Sequence, residues 1–253
     1  MYIDIHSYIK YNNGQYNLLP LLNDMKKYNI DYRVVGSLNN LSNIENTKNI
    51  INIVNKHDNL LGCAIINPKD PSCIDSVKLA CTNENISMFE FNSFEHGYYP
   101  DLQYNLNEIL SIIETTNKPV KVFVGIGARS IPQQWEFWAK KYPKIKFIFL
   151  HMGCFDYGYT CIDVASRNKN IFIETSNQYE LQILRKSINT LDSHKILFGS
   201  MYPYRLTSTG LKIFDMLNLK KQYLNLIFNR TSNNGLYYLS MVPFILSQIS
   251  YQV

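Results

Sequence analysis

The chain has 253 residues, of which 46% are hydrophobic and 18% charged, and its net charge is +5. This length suits one domain with a large buried core, and the scattered basic residues form no run that indicates nucleic-acid binding. No apolar stretch approaches the ~18 residues that span a bilayer, and no basic and apolar leader opens the sequence. We therefore expect a cytoplasmic protein without a membrane or nucleic-acid partner.

Short apolar runs rich in β-branched and aromatic residues alternate with longer amphipathic stretches, which predicts alternating strands and helices. The predicted strands, in chain order, are Tyr2–His6, Tyr32–Gly36, Leu61–Ile66, Ser87–Phe91, Val120–Gly125, Lys146–His151, Ile171–Thr175 and Lys195–Gly199. The predicted helices include Leu18–Tyr28, Ser72–Asn83, Leu106–Thr115, Pro132–Lys141, Gln178–Leu191, Gly210–Leu217, Lys220–Phe228 and Leu236–Ser247.

Eight strands that alternate with helices predict an α/β fold, a single (β/α)8 TIM barrel over residues 1–253 with extra C-terminal helices. The main rival is an open doubly wound sheet, which normally has fewer strands or a phosphate loop after the first one. The segment Gly125–Ser130 begins like a dinucleotide loop, but Ser130 stands where the third glycine belongs. The five cysteines are odd in number and form no CxxC pair, so we expect buried thiols rather than disulfides.

The active site of such a barrel lies at the carboxyl ends of its strands. His6 and His151 fall at the ends of two different predicted strands, and imidazoles that converge there suit a divalent metal. Alternation with period two predicts that Asp4, His6 and Tyr8 share one face of the first strand. Two imidazoles alone make a weak metal site, because catalytic zinc usually has three protein ligands.

Several segments resemble the amidohydrolase superfamily, in particular the branch that contains aminocarboxymuconate-semialdehyde decarboxylase. The matching segments, in chain order, are Ile3–Tyr8 (IDIHSY), Pro119–Gly125 (PVKVFVG), Phe149–Gly153 (FLHMG), Ile171–Ser176 (IFIETS) and Ile196–Pro203 (ILFGSMYP). The last of these motifs is the most specific, and the resemblance extends over nearly the whole chain, because the motifs follow in order from its first strand to its last. The resemblance implies a metal-dependent hydrolase or decarboxylase barrel.

The resemblance also implies five metal-ligand positions, and this sequence departs from three of them. His6 and His151 match family histidines of strands one and six. Tyr8 replaces the second histidine of strand one, Phe123 the histidine of strand five, and Met201 the aspartate of strand eight. Phenylalanine has no lone pair to donate, and a thioether is a poor ligand for zinc or manganese and no base. We therefore predict a degenerate metal site without a bound cofactor, with one zinc or manganese ion as the alternative.

We expect a catalytically impaired or non-catalytic homologue that binds a small molecule or a protein partner at the barrel mouth. The alternative is an active hydrolase or carboxy-lyase with a rebuilt or metal-free site that uses His6 and His151, so the sequence leaves open whether the protein is an enzyme. Tyr8 is a third candidate catalytic residue. The predicted pocket residues are Asp4, Glu90, Phe123, Arg129, Glu174, Met201 and Tyr202, and Arg129 is the candidate for anion recognition. Related barrels often dimerise, so the resemblance makes a homodimer an expectation.

Overall fold

The computed structural model of the protein describes residues 2–228. Its strands in this range are Ile3–Tyr8 (β1), Lys10–Asn12 (β2), Gln15–Asn17 (β3), Tyr32–Gly36 (β4), Leu60–Ile65 (β5), Ile86–Phe91 (β6), Val120–Phe123 (β7), Phe147–Leu150 (β8), Ile171–Glu174 (β9) and Ile196–Leu197 (β10). β2 and β3 form a separate antiparallel hairpin that the sequence did not predict. The other eight form one parallel sheet in the order β1-β4-β5-β6-β7-β8-β9-β10, as predicted.

Backbone hydrogen bonds between the first and last segments of the sheet bring its two edges together. The amide of Ile5 donates to the carbonyl oxygen of Phe198 at 3.1 Å, and the amide of Met201 donates to that of His6 at 2.8 Å. The sheet is therefore a nearly closed barrel, and the predicted TIM-barrel fold is confirmed rather than the open-sheet rival.

Helices follow the barrel strands along the described residues. They are Leu19–Tyr28 (α1), Asn43–Val54 (α2), Cys73–Thr82 (α3), Leu106–Glu114 (α4), Pro132–Lys141 (α5), Gly158–Arg167 (α6), Leu181–Thr190 (α7), Thr207–Met216 (α8) and Lys221–Ile227 (α9). α2 and α6 were not among the predicted helices, and the predicted helix Leu236–Ser247 lies outside the described residues. Within residues 2–228, no helix has both the length and the apolar character needed to cross a bilayer.

α2 shows why its sequence forms a helix despite its many asparagines. The Ser42 hydroxyl accepts a hydrogen bond from the amide of Glu45, and the Glu45 carboxylate accepts one from the amide of Ser42. This reciprocal cap satisfies two amides that the first turn leaves unpaired. Ile50, Ile51 and Val54 then bury one side of the helix against the sheet.

The core has two layers. The larger cluster lies between the sheet and the helices and includes Val120, Val122 and Phe149. A smaller cluster takes members from β1, β4, β5, β6, β8, β9 and β10, so it fills the inside of the barrel. Ile3 and Ile5 belong to this inner cluster.

The predicted common face of Asp4, His6 and Tyr8 is wrong for Asp4. The pairing of β1 with β4 changes register between Asp4 and Ser7, and such an irregularity changes which side chains face inward. Ile3 and Ile5 point into the barrel, so Asp4 lies on the outer face of β1, whereas His6 and Tyr8 face the interior beyond the irregularity.

Candidate functional site

A ring of polar side chains lies inside the barrel near the carboxyl ends of its strands. Tyr8 donates its phenolic proton to Oε1 of Glu90 at 2.6 Å, and Nε2 of His6 lies 3.3 Å from the same phenolic oxygen. Nζ of Lys121 lies 3.2 Å from Nδ1 of His6 and 3.0 Å from Oε2 of Glu90. All four side chains are buried. We call Tyr8, His6, Glu90 and Lys121 the interior ring.

Hydrogen-bond polarity fixes the proton positions around this ring. The Lys121 ammonium has only donors, so Nδ1 of His6 accepts and its Nε2 carries the proton. Burial lowers the pKa of His6 well below 6.5, and the Lys121 charge acts in the same direction. Burial and the Glu90 carboxylate raise the pKa of Tyr8 well above 10. His6 is therefore a neutral imidazole and Tyr8 a neutral phenol, which is a poor metal ligand.

A second set of polar groups joins the ends of β8 and β9. The backbone amide of His151 donates to Oε2 of Glu174 at 3.0 Å, and the Ser176 hydroxyl donates to the same oxygen at 2.7 Å. Because the Ser176 hydroxyl uses its proton there, it accepts from Nδ1 of His151 at 2.8 Å. His151 is then neutral with a bare Nε2, and this atom has no hydrogen-bond partner within residues 2–228.

Burial shifts both titratable groups of this second set. It lowers the pKa of His151 to about 3 and raises the pKa of Glu174 to about 7. Hydrogen bonds from His151 and Ser176 oppose the rise at Glu174 without cancelling it. A carboxylic acid that is partly protonated near neutral pH thus lies beside a neutral imidazole with one free lone pair.

The two sets meet at the imidazoles. The rings of His6 and His151 are edge to face, with centroids 5.2 Å apart. A Cβ atom at Gly199 would lie 2.2 Å from Oε1 of Glu174 and 2.8 Å from Cβ of His6. The glycine two residues after β10 therefore allows Glu174 and His6 to pack closely against the backbone at this point.

Backbone strain marks the same end of the barrel. His151, Met152 and Met201 have φ values of 61°, 47° and 55°, in the left-handed region that non-glycine residues rarely adopt. Such conformations persist where the surrounding structure enforces them, and they concentrate at functional sites. The strained turns follow β8 and β10, the two strands whose ends would carry the family histidine and aspartate.

A cavity of about 730 Å³ opens above the buried groups at the barrel mouth. Phe123, Met201 and Tyr204 line it, whereas neither His6 nor His151 is among the described residues that do. The ring of Phe123 lies against His151, and the ring of Tyr204 lies against Tyr8 at 5.4 Å between centroids. These side chains form a floor between the cavity and the polar groups, so we call Phe123, Met201 and Tyr204 the cavity floor.

The walls of the cavity are unusually rich in carboxamides. The lining asparagines are Asn39, Asn40, Asn43, Asn46, Asn67, Asn92 and Asn177. Arg205 lines the same space, and its Nε donates to Oδ1 of Asn177 at 2.7 Å. Asp70 is already engaged, because its oxygens accept from the amides of Asn43 and Ser72.

The predicted site residues fall into three places. Glu90, Glu174, His6, His151 and Tyr8 are buried below the cavity floor, to which Phe123 and Met201 belong. Asp4 lies outside the barrel, where it accepts from Nε of Arg33 at 2.8 Å and from the amide of Ser200 at 3.0 Å. Tyr202 lies beside the same arginine, with its ring centroid 5.0 Å from the guanidinium carbon.

Arg129, the predicted anion-binding residue, is exposed and is not among the described residues that line the cavity. Its guanidinium carbon lies 5.8 Å from the ring centroid of Tyr99. Arg205 is instead the arginine that lines the cavity. It was not predicted because it lies beyond both the last predicted strand, Lys195–Gly199, and the motif Ile196–Pro203.

Lys121 and Ser176 were also missed. Lys121 is two residues before Phe123 on β7, so alternation along the strand could have placed both on the inner face. Ser176 belongs to the segment Ile171–Ser176, but its role depends on a turn that brings its hydroxyl back to Glu174.

The family resemblance implies a metal, and the donor set allows a test of fit. His6, His151 and Glu174 offer donor atoms that lie within 4.8 Å of one another. Both ring nitrogens of His6 are engaged, however, and the Lys121 ammonium lies 3.2 Å from one of them. Oε2 of Glu174 already accepts two hydrogen bonds and Oε1 accepts one, and Nε2 of His151 is the one ring nitrogen of the two histidines without a partner among the described residues. This arrangement does not fit a catalytic divalent ion.

Comparison with known proteins rests on structure, since no protein-family model and no curated protein matches the sequence. A TIM-barrel protein from Bordetella bronchiseptica superposes with a TM-score of 0.75 at 14% identity, covering 98% of this chain and 99% of that one. An amidohydrolase II has a TM-score of 0.69 at 12% identity, covering 99% and 100%. A dihydroxybenzoic acid decarboxylase from Polaromonas with bound manganese has 0.67 at 13%, covering 100% and 97%. The protein therefore shares the (β/α)8 barrel fold of these proteins, as the sequence predicts.

Proposed function

We propose that the protein binds a small molecule at the barrel mouth and does not carry out metal-dependent hydrolysis or decarboxylation. One observation carries this proposal: Phe123 and Met201 form the cavity floor at two positions where the family resemblance expects metal ligands. A ligand in the cavity meets these apolar side chains before it reaches His6 or His151. The engaged nitrogens of His6 support the same conclusion.

The lining indicates the chemistry of the ligand. A cavity of about 730 Å³ suits a small organic molecule. Carboxamides both donate and accept hydrogen bonds, and Phe94 and Phe123 stack with their centroids 5.6 Å apart to offer a flat apolar surface. Arg205 lines the cavity together with Asp70 and Glu95, so charges of both signs border it. A small polar ligand with a flat face matches these groups.

The experiment measures metal and activity in the same preparation. Protein expressed with added manganese and zinc should contain neither ion in stoichiometric amount, and it should not decarboxylate 2,6-dihydroxybenzoate, the substrate of a decarboxylase with the same fold. Small aromatic and polyhydroxy compounds, screened by thermal shift, should include binders whose effect is weakened in Phe123→Trp, where the larger ring narrows the floor of the cavity. A stoichiometric metal together with turnover would overturn the proposal.

A second candidate function is a hydrolase or carboxy-lyase with a rebuilt site that uses His6 and His151. It is favoured by the bare Nε2 of His151 beside a Glu174 carboxyl whose pKa is raised to about 7, an arrangement suited to proton transfer. The manganese in the Polaromonas decarboxylase supports a metal-dependent form of this candidate. Decarboxylation that is lost in both His6→Ala and His151→Ala would establish it.

A protein partner at the mouth and a homodimer stay predictions. We propose the homodimer on the family resemblance, and sedimentation at micromolar concentration tests it. A monomer under these conditions would contradict the dimer without affecting the ligand-binding proposal.

A further inference from the structure

Lys121 is a fully buried lysine inside the barrel. An ammonium group has three N–H donors, and three acceptors lie within reach of its Nζ atom. They are Oε2 of Glu90 at 3.0 Å, Nδ1 of His6 at 3.2 Å and the carbonyl oxygen of Ile5 at 3.4 Å. The ammonium charge of Lys121 thus lies among three acceptors that favour a cation. Neither of the functions proposed above requires a lysine at this position.

We propose that the Lys121 ammonium takes the electrostatic place of a divalent cation at the centre of this barrel. It neutralises the buried Glu90 carboxylate and holds His6 in the tautomer that carries its proton on Nε2. Lys121 is in this sense a positioning residue, since it acts through His6 and Glu90 and does not line the ligand cavity.

The hydrogen bonds close into a ring that depends on this charge. Lys121 donates to Nδ1 of His6, His6 donates through Nε2 to the phenolic oxygen of Tyr8, and Tyr8 donates to Glu90. The ion pair between Glu90 and Lys121 completes the ring. Without the ammonium, Glu90 would be a buried carboxylate with a single hydroxyl donor, which is an unfavourable state for an ionised group.

The ring also explains the mismatch between the donor set and a metal ion. A divalent cation near His6 would be repelled by the ammonium and would compete with it for Glu90. Removal of the ammonium should leave an unsatisfied carboxylate and a free His6 lone pair next to Nε2 of His151. The same site should then gain affinity for a divalent cation.

This inference goes beyond the proposed function, because it concerns the charge inside the barrel and not the ligand at its mouth. The test uses the intact chain with Lys121→Met, Lys121→Met combined with Glu90→Gln, and Lys118→Met as a matched control. Lys118 is also a buried lysine, but it donates to the carbonyl oxygens of Ala80 and Asn83 and forms no ion pair with a carboxylate of residues 2–228. Melting temperatures are measured with and without manganese chloride, after removal of other metals with chelator.

Lys121→Met should lower the melting temperature by roughly 6–20 °C, the range expected when a buried ion pair loses one partner in a chain of this size. Manganese should raise the melting temperature of Lys121→Met and leave those of the wild type and Lys118→Met unchanged. The double variant should recover at least half of the loss without responding to manganese, because Glu90→Gln removes the unpaired charge.

A spectroscopic readout keeps the inference testable even if Lys121→Met does not fold. Nitrogen-15 NMR of labelled histidine should show His6 with its proton on Nε2 in the wild type and a different tautomer balance in the double variant. An unchanged tautomer, a double variant as unstable as the single one, or equal stabilisation of wild type and Lys121→Met by manganese would each overturn the inference. Ligand binding at the mouth is measured separately in the wild type, so the failure of one proposal does not hide the failure of the other.

Discussion

The ring of Phe123 lies edge to face against the ring of His151, with their centroids 5.3 Å apart. The ring of Phe94 stacks on that of Phe123, with the two centroids 5.6 Å apart. An aromatic layer therefore separates the cavity from the imidazole whose Nε2 has no partner among the described residues. This layer separates a ligand bound in the cavity from the two buried histidines.

Phe123→Ala should open the cavity floor and expose His151. The loss of a buried phenylalanine should cost about 3–5 kcal/mol of unfolding free energy, which denaturant titration measures. The exposed imidazole should then react with diethyl pyrocarbonate, which acylates neutral imidazole nitrogens that solvent reaches. Peptide mass spectrometry should find His151 modified in the variant and protected in the wild type.

Phe137→Ala is the matched control for this change. Phe137 lies on α5 with 54% of its surface exposed, so its loss should change neither the stability by more than about 0.5 kcal/mol nor the protection of His151. Equal protection of His151 in Phe123→Ala and in the wild type would show that the floor does not shield it.

Gly199→Ala should disturb the contact between Glu174 and His6. The added methyl group would lie 2.2 Å from Oε1 of Glu174, so side chains must shift, and we expect a loss of roughly 1–3 kcal/mol in unfolding free energy. Gly210→Ala is the control, because its methyl group would approach no atom closer than 3.5 Å and it lies within α8. It should be neutral or stabilising by up to about 1 kcal/mol. Similar losses in both variants would contradict the crowding at Gly199.

Asp4 should act in stability and not in ligand binding. Its Oδ2 atom pairs with Nε of Arg33 at 2.8 Å, and both side chains are fully buried on the outer side of the barrel. Arg33 also pairs with Asp24 at 2.6 Å, so Arg33→Met leaves two carboxylates without their cation and should cost roughly 3–5 kcal/mol of unfolding free energy. Adding Asp4→Asn to Arg33→Met should recover part of this loss, since it neutralises the fully buried one of the two carboxylates, while ligands found by thermal shift bind unchanged. Loss of ligand binding in the folded double variant would contradict this role and indicate that Asp4 contributes to the ligand pocket.

The stability should depend on pH through His151. Its pKa is lowered to about 3 in the folded protein from 6.5, so the unfolded chain binds a proton first as pH falls. The stability that His151 contributes is therefore present above pH 6.5 and is lost as pH falls toward 3. His151→Gln should reduce the slope of unfolding free energy against pH in this window by on the order of 1 kcal/mol per pH unit.

Glu174 should act with the opposite sign. Its pKa is raised from 4.5 to about 7, so the folded protein takes up the proton first as pH falls. Glu174 thus favours folding as pH drops from 7 to 4.5, and Glu174→Gln should make the wild-type loss of stability in acid steeper. Denaturant titrations at several pH values check both variants, and slopes that change in the same direction would contradict the two pKa shifts.

Most of the fold could be predicted from the sequence, because buried parallel strands form short continuous apolar runs, and all eight predicted runs became barrel strands. It also placed His6 and His151 at strand ends that meet in space. The face of Asp4 could not be read from alternation, because the irregularity in β1 depends on pairing with β4. Lys121 was overlooked for a related reason: a lysine in a strand usually faces solvent, yet its register with Phe123 places it inside.

The cavity was harder to predict. Its asparagines come from loops and helices after several strands, so only the folded chain assembles them. Arg129 and Arg205 both follow barrel strands, and nothing in the local sequence distinguishes the exposed arginine from the one that lines the cavity. The contact between Arg205 and Asn177 joins two loops and is set by tertiary structure.

Manganese titration of the wild-type protein by isothermal calorimetry, after chelator treatment, tests the central claim most directly. The engaged nitrogens of His6, the ammonium of Lys121 and the cavity floor predict no saturable binding. Saturable binding of one manganese ion per chain, lost in His6→Ala and His151→Ala, would contradict the account. It would indicate a metal-dependent enzyme like those that share the fold.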